Sequence, residues 1–294
     1  MSHLIVTGTG PTRRGLVAAI SGGLSELGCN ILDSAQFNDE ETGRFFLRMV
    51  IRPETGSTRR DVESELARIS DATGLALEAH EAPARMRMIV MVSKFGHCLN
   101  DLLYRWRIGA LPVEIAGVIS NHEAYAATVE GHGLPFHHIA VTPENKPEAE
   151  ARIMGVVEDS QADLVVLARY MQVLSDGLCA KMAGRIINIH HSFLPSFKGA
   201  VPYSQAHARG VKLIGATAHY VTADLDEGPI IEQDTVRVTH AQSAGDLVAL
   251  GRDVEAQVLS RAVHAHADRR VFLNGGKTVV FPASPGAFAS ERMG

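Results

Sequence analysis

Asn188 and His190 stand two residues apart in the run R-I-I-N-I-H-H-S-F-L-P-S-F-K-G-A, Arg185 to Ala200. On an extended chain that spacing puts both side chains on one face, so an amide donor and a titratable ring are presented together. The pairing suits acyl chemistry, in which the amide holds a developing oxyanion and the ring moves protons. A carboxylate to orient and charge the ring would complete the site, and Asp226 is the candidate. It lies in A-T-A-H-Y-V-T-A-D-L-D-E-G-P-I-I-E-Q, Ala216 to Gln233, where an apolar strand runs into a short acidic loop closed by Gly228 and Pro229. Opposite His190, Asp226 would favour the imidazolium, raising the pKa of the ring and lowering its own. His191 points away from Asn188 and His190 on an extended backbone and is read as structural. The doublet His137 and His138 has no third and fourth ligand at recognisable spacing, so no metal is expected.

These residues need a rigid frame, and the chain divides into two stretches that can supply one. Residues 1 to 84 read as β-α-β-β-α-β. Leu4 to Thr7 is strand-like, and Gly8, Gly10 and Pro11 suggest a turn. Leu16, Val17, Ile20, Leu24 and Leu27 recur at helical spacing until Gly28. Ile31 to Phe37 and Phe45 to Ile51 form two strands, Val62, Leu66 and Ile69 mark a second helix, and Leu75 to Leu77 closes the set. His80 to Arg87 contains Pro83, lacks periodicity and reads as a linker. Residues 85 to 294 then alternate strands with helices: Met88 to Val92, Val113 to Ser120, Phe136 to Ile139, Leu164 to Ala168 and Ile186 to Ile189. Continuous apolar strands of this kind belong to a parallel sheet covered on both faces, so a doubly wound, Rossmann-like α/β domain is expected. Arg270 to Asn274 and Lys277 to Phe281 flank Gly275 and Gly276 as a C-terminal hairpin.

At this point the sequence resembles a known family. N-I-H followed by L-D-E-G-P is similar to the catalytic pattern of formyltetrahydrofolate-dependent formyltransferases. S-K-F-G-H-C-L-N-D-L-L-Y-R-W-R (Ser93 to Arg107), L-A-R-Y-M-Q-V-L-S (Leu167 to Ser175) and N-I-H-H-S-F-L-P-S-F-K-G-A resemble the hydrolytic branch, the formyltetrahydrofolate deformylases. The first stretch, with P-T-R-R-G-L-V at Pro11 to Val17, resembles an ACT domain on a ferredoxin-like plan.

The resemblance implies hydrolysis of 10-formyltetrahydrofolate to tetrahydrofolate and formate, the formate feeding purine synthesis, with Asn188, His190 and Asp226 as catalytic residues. It implies a folate slot lined by Arg169, Tyr170, Met171, Gln172, Val173, Leu174, Val221 and Leu225, and a flap from Phe197 to Tyr203 that brings Lys198 and Gly199 to the site. No cofactor beyond the folate substrate is implied. An amino-acid effector at the ACT unit is. Two alternatives stay open: transfer of the formyl group to an amine acceptor, and a non-catalytic folate-sensing protein. The turn Ser93 to Cys98 has a single glycine between bulky side chains and is a poor cradle for a phosphate, which favours water over a phosphorylated acceptor.

Charge and composition narrow the partners. A net charge of −5 over 294 residues, with no basic stripe, argues against nucleic acid and anionic membranes. Cys29, Cys98 and Cys179 are widely spaced, which fits a reducing compartment rather than a disulfide framework. With no leader-like opening and no apolar run long enough to span a bilayer, a cytoplasmic protein is expected. A unit of about 84 residues covers only part of its apolar surface alone, so assembly into a homo-oligomer through that unit is expected.

Overall fold

The computed structural model describes residues 3–54, 56–82, 85–195 and 202–283. These form two compact units, one from the segment up to Ala84 with the segment beginning at Ala265, the other from Arg85–His264. In the first unit β1 (His3–Pro11), α1 (Leu16–Glu26), β2 (Cys29–Asp39), β3 (Arg44–Pro53), α2 (Arg59–Thr73) and β4 (Ala76–Ala82) form an antiparallel sheet in the order β2-β3-β1-β4. Leu4, Val6, Leu47, Met49 and Ile51 turn one face to the buried stripes of the helices, Leu16, Ile20 and Leu24 on α1 and Val62, Leu66 and Ile69 on α2. The boundaries of α2 are written in its sequence: Thr58 and Asp61 cap each other's backbone at the start, and Gly74, at φ 75°, ends it.

Gly8 and Gly10 are strand residues, not turn residues. β1 lies between two neighbours, and a Cβ on Gly8 would fall 2.7 Å from Leu77 while one on Gly10 would fall 2.9 Å from the Gly74 carbonyl. The glycines permit close approach in a central strand. The expected linker is shorter than its composition suggests, since β4 runs to Ala82 and the next strand starts at Met86.

The second unit contains β5 (Met86–Val92), α3 (His97–Arg107), β6 (Val113–Ser120), α4 (Ala126–Glu130), β7 (Phe136–His138), α5 (Lys146–Asp159), β8 (Leu164–Leu167), α6 (Asp176–Lys181), β9 (Ile186–His190), α7 (Pro202–Ala208), β10 (Leu213–Tyr220), β11 (Ile230–Arg237) and most of α8 (Ala244–Ala267). The sheet runs β11-β10-β9-β8-β5-β6-β7. From β9 to β7 it is parallel, as the continuous apolar strands predict. β10 and β11 add antiparallel strands, so the sheet is mixed. The chain builds outward from β5 to β7, then returns to place β8 on the other side of β5. That reversal opens a crevice beyond the carboxyl ends of β5 and β8, where open α/β sheets take their ligands. Ser93 N–H donates to the Arg169 carbonyl across this point at 3.2 Å, and Met171 N–H donates to Ser93 Oγ at 3.0 Å.

The hairpin at the C-terminal end, β12 (Val271–Asn274) and β13 (Lys277–Val280), turns at Gly275 as expected. Its packing corrects the reading that assigns residues 85 to 294 to one catalytic segment. Phe272 meets Phe46 of β3 edge-to-face at 6.0 Å, and Phe281 meets Phe272 at 5.5 Å. Asn274 Nδ2 donates to Asp39 at 2.6 Å, and the buried Arg48 pairs with Asp268 at 3.0 Å. Phe46 and Arg48 alternate with the residues facing the helices, so the hairpin covers the opposite face of the first sheet. Among the described residues no helix is long and apolar enough to cross a membrane.

Candidate functional site

β9 delivers Asn188 and His190, and its antiparallel pairing with β10 sets Asn188 directly opposite His219. Asn188 Nδ2 donates to His219 Nε2 at 3.3 Å, while His219 Nδ1 lies 2.9 Å from the Tyr220 carbonyl. A carbonyl only accepts, so the His219 proton sits on Nδ1 and its Nε2 is left to orient the amide. Asp226 Oδ1 comes within 3.3 Å of His190 Nδ1 and 3.7 Å of His219 Nε2. With Nδ1–H turned to the carboxylate, His190 Nε2 is the basic end of the ring. It is buried and has no hydrogen-bond partner among the described residues. The hydrogen bond from His190, with His219 adding when its Nε2 is protonated, holds the Asp226 carboxyl well below the ordinary carboxylate range, against a burial that pushes it up.

The loop between β10 and β11 is built to hold Asp226. Asp226 takes a left-handed backbone, φ 57°, which Asp tolerates better than most residues. Tyr220 N–H donates to the Pro229 carbonyl at 2.9 Å, pulling the loop shut, and a Cβ on Gly228 would fall 1.7 Å from the Tyr220 carbonyl oxygen. Backbone on both sides leaves no flexible atom to give way. Gly228→Ala is therefore expected to displace Asp226 and cut turnover at least about tenfold, the scale of an ångström-sized misplacement near the chemistry. Steady-state rates of a variant with unchanged circular dichroism test this. The segment after His190 is fixed separately: Thr217 Oγ1 accepts from Leu194 N–H at 3.0 Å and donates to the Ser192 carbonyl at 2.9 Å.

The residues proposed for the slot divide between surface and core. Met171, Val173 and Leu225 expose 48%, 57% and 61% of their surface, as apolar lining open to a ligand would. Gln172 and Val221 are half-buried. Tyr170 and Leu174 are buried in the cluster around Leu167, Leu178 and Ile186, so they support the slot from behind rather than line it. Burial pushes the Tyr170 hydroxyl up to about 12. Arg169 is buried at φ 66° and turned to Glu255. Lys198 and Gly199, with Phe197, lie outside the described residues. Tyr203, expected in the flap, is a buried residue of α7 instead.

His191 is buried with its ring 6.2 Å from that of Tyr203, in keeping with a structural role. His138 pairs with the exposed Glu123 at 3.2 Å. Two buried groups escape a sequence reading: His219, whose place beside Asn188 exists only in the strand register, and Glu255, at the centre of a cluster on α8. The turn after β5 also gains an explanation. Tyr125 fills the space beside Gly96, where a Cβ would fall 2.3 Å from its ring, and its hydroxyl donates to the Lys94 carbonyl at 3.0 Å.

The chain matches the formyl transferase family over residues 86–263 and the ACT domain family over residues 2–80. It is 47% identical over 271 residues to a formyltetrahydrofolate deformylase of Corynebacterium sp. strain P-1, covering 92% of this chain and 95% of that one. The chain belongs to the formyltetrahydrofolate deformylase family. A crystal structure of a deformylase from Burkholderia mallei superposes with a TM-score of 0.92 at 49% identity, over 96% of this chain and all of that one, so the deformylase fold extends through both units. Glycinamide ribonucleotide transformylase 1 from Symbiobacterium toebii is similar over 67% of this chain and 95% of its own length, with a TM-score of 0.63 and 32% identity. The deformylase family thus shares its second unit with a ribonucleotide transformylase and adds the first.

Proposed function

We infer that this protein hydrolyses 10-formyltetrahydrofolate to tetrahydrofolate and formate. The observation that carries the reading is His190: its Nδ1 faces Asp226, its buried Nε2 is unpaired, and the Asn188 amide stands on the same strand face. Water attacks the formyl carbon as Nε2 takes its proton. The carbonyl oxygen becomes an oxyanion, to which Asn188 donates from the N–H not engaged by His219, a contribution on the order of 3 kcal/mol when aligned. Collapse breaks the bond from carbon to N10. The imidazolium returns its proton to that nitrogen, and formate leaves. Asp226 stabilises the imidazolium and keeps Nδ1 protonated throughout.

The pterin lies against Met171, Val173 and Leu225, with the polar end of the slot set by backbone groups of the same loop. No cofactor takes part beyond the folate itself. Formate should appear when the purified protein meets 10-formyltetrahydrofolate without any amine. Strict dependence on an amine acceptor would move the assignment to transfer.

The first unit is the regulatory and assembly module of this reading. Thr12, Arg13, Gly15, Gln36, Phe37 and Asn38 are among the residues lining a groove of about 630 Å³, suited to a small effector such as an amino acid. β2 is an edge strand on which Leu32 and Phe37 are exposed, and pairing with a second copy would cover them. Formate released in the cytoplasm would then serve purine synthesis.

A further inference from the structure

Glu255 is a buried carboxylate that the hydrolytic residues do not use. It is 1% exposed, yet it gathers side chains from three other places in the second unit. His97 Nε2, at the start of α3, lies 2.8 Å away; the Tyr203 hydroxyl, from α7, donates at 2.7 Å; Arg169 Nε, just beyond β8, lies at 3.3 Å. The helix makes room for this. Gly251 sits one turn before Glu255, and a Cβ there would fall 2.1 Å from the Tyr203 ring. Burial pushes the carboxyl up, but His97, Arg169 and Tyr203 together outweigh it, and the group is held below its ordinary value.

The position of the cluster gives it meaning. His97 opens α3 after β5, and Arg169 follows β8, so the two flank the crevice at which the sheet order reverses. A helix start and a guanidinium at that crevice are what an anionic ligand would bind. Arg169 is nine-tenths buried, and its Nε, although close to Glu255, is not aligned for a hydrogen bond. A cation is a poorer occupant. His97, Cys98 and Glu255 do bring nitrogen, sulfur and oxygen within 4.8 Å of one another, but the Arg169 charge already stands on that carboxylate and burial holds the Cys98 thiol well above its ordinary value.

We propose that Glu255 is a specificity-determining residue: its carboxylate occupies the anion position of the crevice, excluding the phosphate of a phosphorylated amine acceptor and leaving water as the nucleophile. This rests on the hydrolytic reading and deepens it. It accounts for how a fold shared with a ribonucleotide transformylase is turned away from transfer without any change at Asn188, His190 or Asp226.

The test compares inorganic phosphate binding to the full-length protein and to Glu255→Ala by isothermal titration calorimetry. Removing the carboxylate should free His97 and Arg169 and tighten phosphate binding at least about tenfold, roughly 1.4 kcal/mol. A variant with native circular dichroism that binds phosphate no better than the parent overturns the proposal. Should Glu255→Ala not fold, the isosteric Glu255→Gln decides: phosphate should inhibit its formate release at least about tenfold more strongly than that of the parent, and equal inhibition overturns the proposal. Absence of formate release by the parent would refute hydrolysis itself. The phosphate titration of Glu255→Ala needs no turnover and would still decide the role of Glu255.

Discussion

His190→Ala and Asp226→Asn should each lower formate release by at least about a hundredfold while binding of a folate analogue survives. The two act through one ring. Without His190 no group takes the proton at the position of its Nε2, and no other buried, unpaired imidazole nitrogen is found among the described residues. Asp226→Asn keeps the shape but presents either an amide N–H or a neutral carbonyl to Nδ1, 3.3 Å away. The first forces the opposite tautomer and leaves Nε2 protonated; the second fails to stabilise the imidazolium. Near-normal turnover in either variant would refute the assignment. Because the folded pKa of Asp226 is depressed, the stability it contributes is complete above the ordinary carboxylate value, about 4, and is lost as the pH falls through the folded value. The stability gap between the parent and Asp226→Asn should therefore close as the pH is lowered below about 4.

What could be read from the chain follows from how local each signal is. The strands and helices of both units announce themselves through apolar period, and the same period puts Asn188 and His190 on one face. Asp226 is found because the glycine and proline that close its loop are adjacent to it. His219 is invisible to this reasoning, since its place beside Asn188 depends on which residues of β9 and β10 pair, a long-range choice. Glu255 is hidden for the same reason: its partners lie 52 to 158 residues away in sequence. Tyr170 and Leu174 look like lining in a motif and prove to be support, because at a strand end neighbouring residues point in opposite directions and one face belongs to the core.

The C-terminal hairpin alters how the separation of roles must be tested. Deleting residues 1 to 84 alone removes Phe46, against which Phe272 packs with Phe281 behind it, and the Asp39 partner of Asn274. Two phenylalanines left uncovered forfeit about 2 kcal/mol each and leave a sticky face on the remainder. The fragment 85–294 should therefore aggregate, whereas 85–267, which keeps α8 whole and omits the hairpin, should remain folded. If assembly resides in the first unit, this shorter fragment should sediment as a monomer while the full chain does not. Asn188, His190, Asp226, Met171 and Val173 all lie within it, so it should bind folate and release formate without any response to an effector. A fragment 85–267 that keeps the native subunit number would refute assembly through the first unit. A folded fragment that no longer binds folate would show that the two units share the site.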